Sequence, residues 1–374
     1  MIQVFLNHIR NVSRIIERYG LSHVVLTNPS NIVYFTGVES GNLLVIDSGL
    51  NVTLIVPRLE YERVNSLLTD TNYGIKVIGY STIEVPPRRP GESLFVGSSL
   101  GRYLIDIERL GSGSVVGIDN VDSSVGKVLS GHGIRCIDIN DDLARIRMVK
   151  DDNEIQLIRR ATQITDESLK YVWESGLEGK RERDIAAMIQ DFMIRNGADE
   201  AAYKPIIASG PNGAYPHHNY SDRVIVRGDL VTIDAGARFN LYRTDITRTF
   251  AVGNISKELR DMAHAVLEAL NKALSVIKPG VSVRDVDLAA RSVLEEYGYG
   301  AYTIWSMGHG VGIDIHEKPF LSPYSNDVLS KGVVIAVEPG IYIKGVGGVR
   351  IEDTIVVTDT GAEVLSSFPR DLFG

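Results

Sequence analysis

The sequence predicts two domains in tandem: an α/β domain over residues 1–148, then an α+β domain over 149–374 with internal pseudo-two-fold symmetry. Three observations lead there. The chain has 374 residues, longer than one hydrophobic core usually organises. Its pattern changes character near Lys150. Beyond that point a helix-helix-sheet order occurs twice.

The first half alternates helix and strand signals. Residues 2–19 have apolar positions at helical spacing. Short apolar runs come next at 23–27, 43–47 and 52–57, and turn signals such as Asn28-Pro29 and Ser48-Gly49 separate them. The Pro- and charge-rich stretch 84–93 reads as a loop, and α/β pattern resumes from Leu94 to about Asp142. No His clusters with acids at metal-ligand spacing here, so this half is read as carrying no chemistry of its own.

In the second half, a helix signal starts at Asp152, with apolar residues at 155, 158, 161, 164, 169 and 172. A helix over about 183–196 stops at Asn196-Gly197. Strand-like segments fill 204–252. The order then repeats: a helix over about 256–277 stopped by Lys278-Pro279-Gly280, a shorter one over about 283–297 with Ser282 as N-cap, and strand-like segments over 303–358. The two sheets are alike in sequence. Gly228 leads through five residues to Asp234, then Ala235 and Gly236; Gly332 leads through five to Glu338, then Pro339 and Gly340. A second acid comes later in each, Asp245 after 11 positions (234 to 245) and Glu352 after 14 (338 to 352). Two such halves would bring four acids to one centre.

Composition narrows the function. The apolar fraction of 44% and charged fraction of 23% are ordinary for a globular protein. A net charge of −8 argues against a nucleic-acid or anionic-membrane surface. Cys136 is the single cysteine, which excludes an intrachain disulfide framework and a cysteine zinc site and fits a cytoplasmic home. Neither a signal peptide nor an apolar run of transmembrane length is read.

Taken singly, each candidate residue has an ordinary explanation. Asp234 and Glu338 end apolar runs that read as buried strands, where an Arg partner or a strand end reaching solvent would account for them. Asp245 shares a strand face with Thr247 and Thr249, and Glu352 one with Arg350 and Thr354; a solvated sheet face would explain both. His309 lies in Met307-Gly-His-Gly-Val-Gly312, with glycines that allow close backbone approach to a bound group. His217 and His316 lie in two further short segments. Together the set has another meaning. Four carboxylates in one pocket repel unless protonated or joined by cations, and two divalent ions balance their charge. Four carboxylates and an imidazole form an oxygen-rich set suited to Mn²⁺, Co²⁺, Fe²⁺ or Zn²⁺. Two such ions about 3.5–4 Å apart are hydrolytic machinery.

At these residues the chain resembles the pita-bread metallopeptidases, and within them the Xaa-Pro dipeptidases (prolidases) and Xaa-Pro aminopeptidases. The matching segments are Ser209-Gly-Pro-Asn-Gly213 through His217, Asp234-x-Gly236, Thr244-Asp-x-Thr-Arg-Thr249, Gly308-His-Gly-x-Gly312, His316-Glu317, Glu338-Pro-Gly-x-Tyr342 and Arg350-Ile-Glu-Asp353. They span about 209–353. Asn31-Ile-Val-Tyr-Phe-Thr-Gly37 is similar to the creatinase-type N-terminal domain. Thr244 stands where many relatives carry Ser.

The resemblance implies that Asp234 and Asp245 bind one metal, with Asp245 bridging to the other. It implies that His309 and Glu338 serve the second metal and Glu352 bridges. His217 and His316 would line the substrate pocket and steady a tetrahedral intermediate, and Arg350 would help place a carboxylate. The implied reaction is Xaa-Pro hydrolysis by a metal-bridging hydroxide, with Glu338 taking its proton. Two divalent ions per chain, Mn²⁺ or Co²⁺ before Zn²⁺ or Fe²⁺, a small peptide substrate with Pro second, and a homodimer are implied too. The preference for Pro comes from the resemblance alone. The alternatives are an Xaa-Pro aminopeptidase acting on longer peptides, and a metal-free pita-bread hydrolase or peptide-binding module. Metal-free members lose part of the five-ligand set, and this chain has all five.

Overall fold

The structure, a computed structural model, describes residues 2–69, 74–84 and 88–373. It divides into two compact units, Met1–Arg147 and Met148–Gly374. Of the loop expected over 84–93, residues 85–87 lie outside the described residues.

The first unit is built on a seven-stranded mixed sheet: β1 (His23–Leu26), β2 (Leu43–Asp47), β3 (Val52–Pro57), β4 (Lys76–Ser81), β5 (Leu94–Val96), β6 (Val115–Ile118) and β7 (Arg135–Asp138), in the order β5-β4-β3-β2-β1-β6-β7. The pairs β1–β2 and β2–β3 are antiparallel, and the others are parallel. The three apolar runs expected as strands are β1 to β3. Asn28-Pro29 is not the turn the dipeptide suggested. It starts a helix, Pro29–Thr36, in which the Asn28 side chain accepts the Ser30 amide and Pro occupies the first turn. Proline costs nothing there because that N–H has no intrahelical partner.

The second unit shows the doubled order. Helices Asp152–Glu174 and Glu182–Arg195 pack on the sheet of Ile206–Ser209, Leu230–Ala235 and Ile246–Ala251. Helices Lys257–Val276 and Val283–Glu296 pack on the sheet that contains Gly308–Gly310, Val334–Val337 and Asp353–Val357. Capping sets the helix starts. Asp151 and Glu154 form a capping box, and Ser256 and Ser282 accept the amides of Leu259 and Arg284. Packing then holds the helices. Ile164, Leu169, Ile185 and Ile233 lie in one core and Val266, Leu270, Leu294 and Ile335 in the other, all fully buried, each contributing about 1.5–3 kcal/mol.

In each copy the central strand ends at an acid, the next residues form a separate two-stranded hairpin, and the chain returns to pair with the central strand. The hairpins are Ala237–Phe239 with Tyr242–Arg243, and Gly340–Ile343 with Gly347–Arg350. The likeness stops at the second acid. Asp234 pairs with Thr247, and Ala235 with Ile246, so Asp245 faces Gly236. Val337 pairs with Asp353, so one rung further Glu338 faces Glu352. Asp245 and Glu352 therefore occupy different rungs, two residues apart, which with a second hairpin one residue longer makes their spacings from the first acids differ.

Candidate active site

The sheet ends bring the acids together. Asp234, Asp245, His309, Glu338 and Glu352 line one cavity of about 790 Å³, with Tyr203, His217, His316 and Arg350. Their donor atoms fall into overlapping groups: Asp234, Asp245 and Glu352; His309, Glu338 and Glu352; and Asp245, His309 and His316, each within 4.8 Å. Glu352 belongs to the first two groups. Asp245 links the first and third.

His309 sits in the short strand Gly308–Gly310, between Ala336 and Phe320. Its Nδ1 lies 3.1 Å from the Gly310 carbonyl, an acceptor only, so Nδ1 carries the proton. Nε2 lies 3.5 Å from both Asp245 Oδ2 and Glu338 Oε1, where a neutral ring would offer its lone pair to a cation held among them. The flanking glycines serve the sheet rather than a bound group. A Cβ on Gly308 would stand 2.1 Å from the Ala336 carbonyl oxygen, and one on Gly310 would stand 2.2 Å from that of Lys318.

The carboxylates are buried and crowded. Burial pushes the Asp245 carboxyl well above its usual range, and the charge of Asp234 pushes it further. Burial does the same to Glu352, with Asp245 and Glu338 adding to it. Glu338 is raised by burial, against the opposing pull of His309 and Arg350. Such shifts mark a site where burial and like charges disfavour ionised carboxylates unless cations neutralise them. Arg350 relieves part of it. Its Nη2 donates to Asp234 Oδ2 at 2.6 Å, so Asp234 has the Arg partner that its burial alone could have explained. Glu352 has no such partner: Oε2 accepts from the Thr247 hydroxyl at 2.6 Å, and Oε1 is buried with no hydrogen-bond partner. A carboxylate with an orphaned oxygen, and with an oxygen within 4.8 Å of an imidazole nitrogen and another carboxylate oxygen, fits a divalent cation.

The residues assigned to substrate stand around this centre. The His316 ring packs edge-on against His309, with centroids 4.3 Å apart. Much of His316 is solvent-accessible, yet desolvation by its surroundings and then the proximity of His309 lower its pKa to about 4. It is a neutral hydrogen-bonding group at pH 7. His217 is exposed at the cavity, on a segment whose Pro216 carbonyl accepts from Arg350 Nη1 at 3.2 Å. Arg350 also donates to Tyr342 and Thr247, so its guanidinium is fixed from three sides.

Two important residues escaped the sequence reading. The Tyr203 hydroxyl bonds to both Asp234 and Asp245, and burial among carboxylates raises its pKa well above the usual phenol value. Nothing in Ala202-Tyr203-Lys204 marks it. Glu182, fully buried, accepts from Ser209, Asn212, His218 and Ser221. Burial alone would raise its pKa, but the hydrogen bonds from Ser209, Ser221, His218 and Asn212 take it down to about 2. It anchors the loop that carries His217. The apolar wall of the cavity, with Ile206, Ile304, Trp305, Ile315 and Phe320, was not anticipated either.

The family model for Metallopeptidase family M24 matches residues 156–359, and that for the Creatinase/Prolidase N-terminal domain matches residues 8–149. An Xaa-Pro dipeptidase from Pyrococcus furiosus is 37% identical over 361 residues, covering 96% of this chain and 97% of that protein. Among solved structures, the prolidase of Pyrococcus horikoshii OT3 superposes with a TM-score of 0.83 at 33% identity, covering 98% of this chain and 99% of that one. An X-Pro aminopeptidase from Thermotoga maritima gives 0.83 at 29% identity, covering 98% and 99%.

Proposed function

The chain belongs to metallopeptidase family M24, with a creatinase/prolidase-type domain ahead of its catalytic half, and on that footing we propose that it hydrolyses Xaa-Pro peptide bonds, chiefly in dipeptides. The observation that carries this reading is the convergence of Asp234, Asp245, His309, Glu338 and Glu352 in one cavity, with the buried Glu352 Oε1 left unpartnered. We assign Asp234 and Asp245 to one divalent ion, His309 and Glu338 to a second, and Asp245 and Glu352 to both. Mn²⁺ or Co²⁺ suits this oxygen-rich set best, with Zn²⁺ or Fe²⁺ as alternatives. Bound there, the ions would supply the Lewis acidity and the lowered water pKa that amide hydrolysis needs.

The chain's own groups do the rest. Glu338, its carboxyl raised toward neutrality by burial, accepts the proton lost by attacking water and returns it to the leaving proline nitrogen. His316, neutral at pH 7, donates a hydrogen bond to the developing oxyanion without a competing ion pair, and His217 acts from the opposite segment. Arg350, held by Tyr342, Thr247 and Pro216, steadies Asp234 and presents positive charge to a substrate carboxylate. The apolar wall excludes water and accommodates side chains that carry no charge. No helix among the described residues is long and apolar enough to cross a membrane. With one free cysteine, a cytoplasmic location belongs to this proposal, as does the homodimer expected of the family.

A second reading, an aminopeptidase acting on longer Xaa-Pro peptides, is favoured by the likeness to the Thermotoga maritima enzyme. A panel of Xaa-Pro dipeptides, Xaa-Pro-Yaa tripeptides and a non-prolyl dipeptide, assayed with Mn²⁺, Co²⁺ and Zn²⁺, separates the two. The dipeptides should be cleaved with the highest kcat/KM and the non-prolyl dipeptide hardly at all. Preference for the tripeptides would make the chain an aminopeptidase, and cleavage without regard to Pro would remove the Xaa-Pro assignment.

A further inference from the structure

Behind the cavity the two halves of the second unit meet along a seam. The Glu352 amide donates to the Thr247 carbonyl at 3.0 Å, and the Thr247 hydroxyl donates to Glu352 Oε2. Arg248 caps this junction. Its Nη1 donates to the carbonyls of both Thr247 and Glu352, at 3.0 and 2.5 Å, one from each half. Its Nη2 lies 2.8 Å from Asp353 Oδ1, and the two side chains are 1% and 0% exposed.

The C-terminal segment closes over this pair. Arg248 donates to the carbonyls of Phe368 and Pro369, and Asp353 accepts from the Ser366 hydroxyl and, at 2.5 Å, from Arg370. The same segment holds both halves. The Ser367 amide donates to Asp166, on helix Asp152–Glu174, and the Phe373 carbonyl accepts from Arg260, on helix Lys257–Val276.

A fully buried ion pair is a poor means of stabilising a fold, since apolar residues of similar volume serve as well or better. A planar guanidinium offers something an apolar pair cannot: fixed donors that set the distance between two carbonyls and a carboxylate. We propose that Arg248 and Asp353, clamped by residues 366–373, are positioning residues that fix how far Glu352 reaches into the metal site. This rests on the reading of Glu352 as a ligand shared by both ions. Glu352 Oε1 has no protein partner, so its place is set by the Thr247 contact and by the backbone that Arg248 holds. Small displacements of that backbone would change both halves of the centre at once.

The test uses full-length Asp353→Asn, Arg248→Lys and Arg370→Gln. Metal affinity is read by competition with a chelator for Mn²⁺ or Co²⁺, beside kcat, KM and the melting temperature of the metal-free protein. Groups that orient a ligand typically change metal affinity about 10–100-fold. The expected result is a loss of that size in Asp353→Asn and Arg248→Lys, a smaller one in Arg370→Gln, and lower kcat at nearly constant KM. A fall in melting temperature with metal affinity and kcat unchanged would mean that the pair serves the fold only, and would overturn the proposal. Should Asp353→Asn fail to fold, Arg370→Gln decides, because it touches Asp353 from a partly exposed position; unchanged affinity there is equally adverse. Wild-type protein that binds no metal defeats the underlying reading. Wild type binding two ions beside unaffected variants defeats this inference alone.

Discussion

Replacing either shared acid, in Glu352→Gln or Asp245→Asn, is expected to abolish most activity and to disturb both metal positions together. Glu352 is common to two of the donor groups, and Asp245 reaches toward His309 as well as the Asp234 side. Each therefore neutralises charge for two ions. Losing one such ligand forfeits several kcal/mol of electrostatic stabilisation, a rate loss on the order of 10³-fold or more. His309→Ala removes a ligand from one ion only. Dialysed against limiting Mn²⁺ or Co²⁺, the two acid variants should hold well under two ions per chain, and His309→Ala about one. Full activity and full loading in Glu352→Gln would return Glu352 to an ordinary buried acid.

The second large effect concerns the pocket histidines. His217→Ala and His316→Ala should each lower kcat by roughly 10²-fold, the usual cost of one oxyanion donor, with metal content nearly intact. The case is sharpest for His316, whose ring lies against His309 and has a nitrogen within 4.8 Å of an Asp245 oxygen. Loss of an ion in His316→Ala would move it from the substrate to the metal.

The four acids were legible because the doubled motif repeats a local rule, and His309 because glycines flank it in a segment that resembles a known family's. An apolar strand that ends in an acid and then a glycine needs no tertiary knowledge to be seen twice. The helix pairs were legible for the same reason, through periodicity and caps such as Ser256 and Ser282. Other features depend on contacts that no local pattern records. Tyr203 meets Asp234 and Asp245 only because the chain between them folds back. Glu182 gathers Ser209, Asn212, His218 and Ser221 from up to 39 positions away. The sequence likeness of the two copies hid a difference of rung, visible only in the pairing of Asp234 with Thr247 and of Val337 with Asp353. Glycines beside His309 invited a ligand-approach reading, whereas the carbonyls of Ala336 and Lys318 are what leave no room for a Cβ. Asn28-Pro29 carries a further ambiguity: the same dipeptide opens a turn or a helix, and here the apolar residues Ile32, Val33 and Phe35, all buried, draw it into a helix.

The most direct test of the account is a count of ions. Protein stripped by chelator and titrated with Mn²⁺ or Co²⁺ should bind two per chain, with Xaa-Pro hydrolysis rising as the sites fill. A folded protein that binds one ion or none under these conditions would contradict the dinuclear centre on which the rest depends.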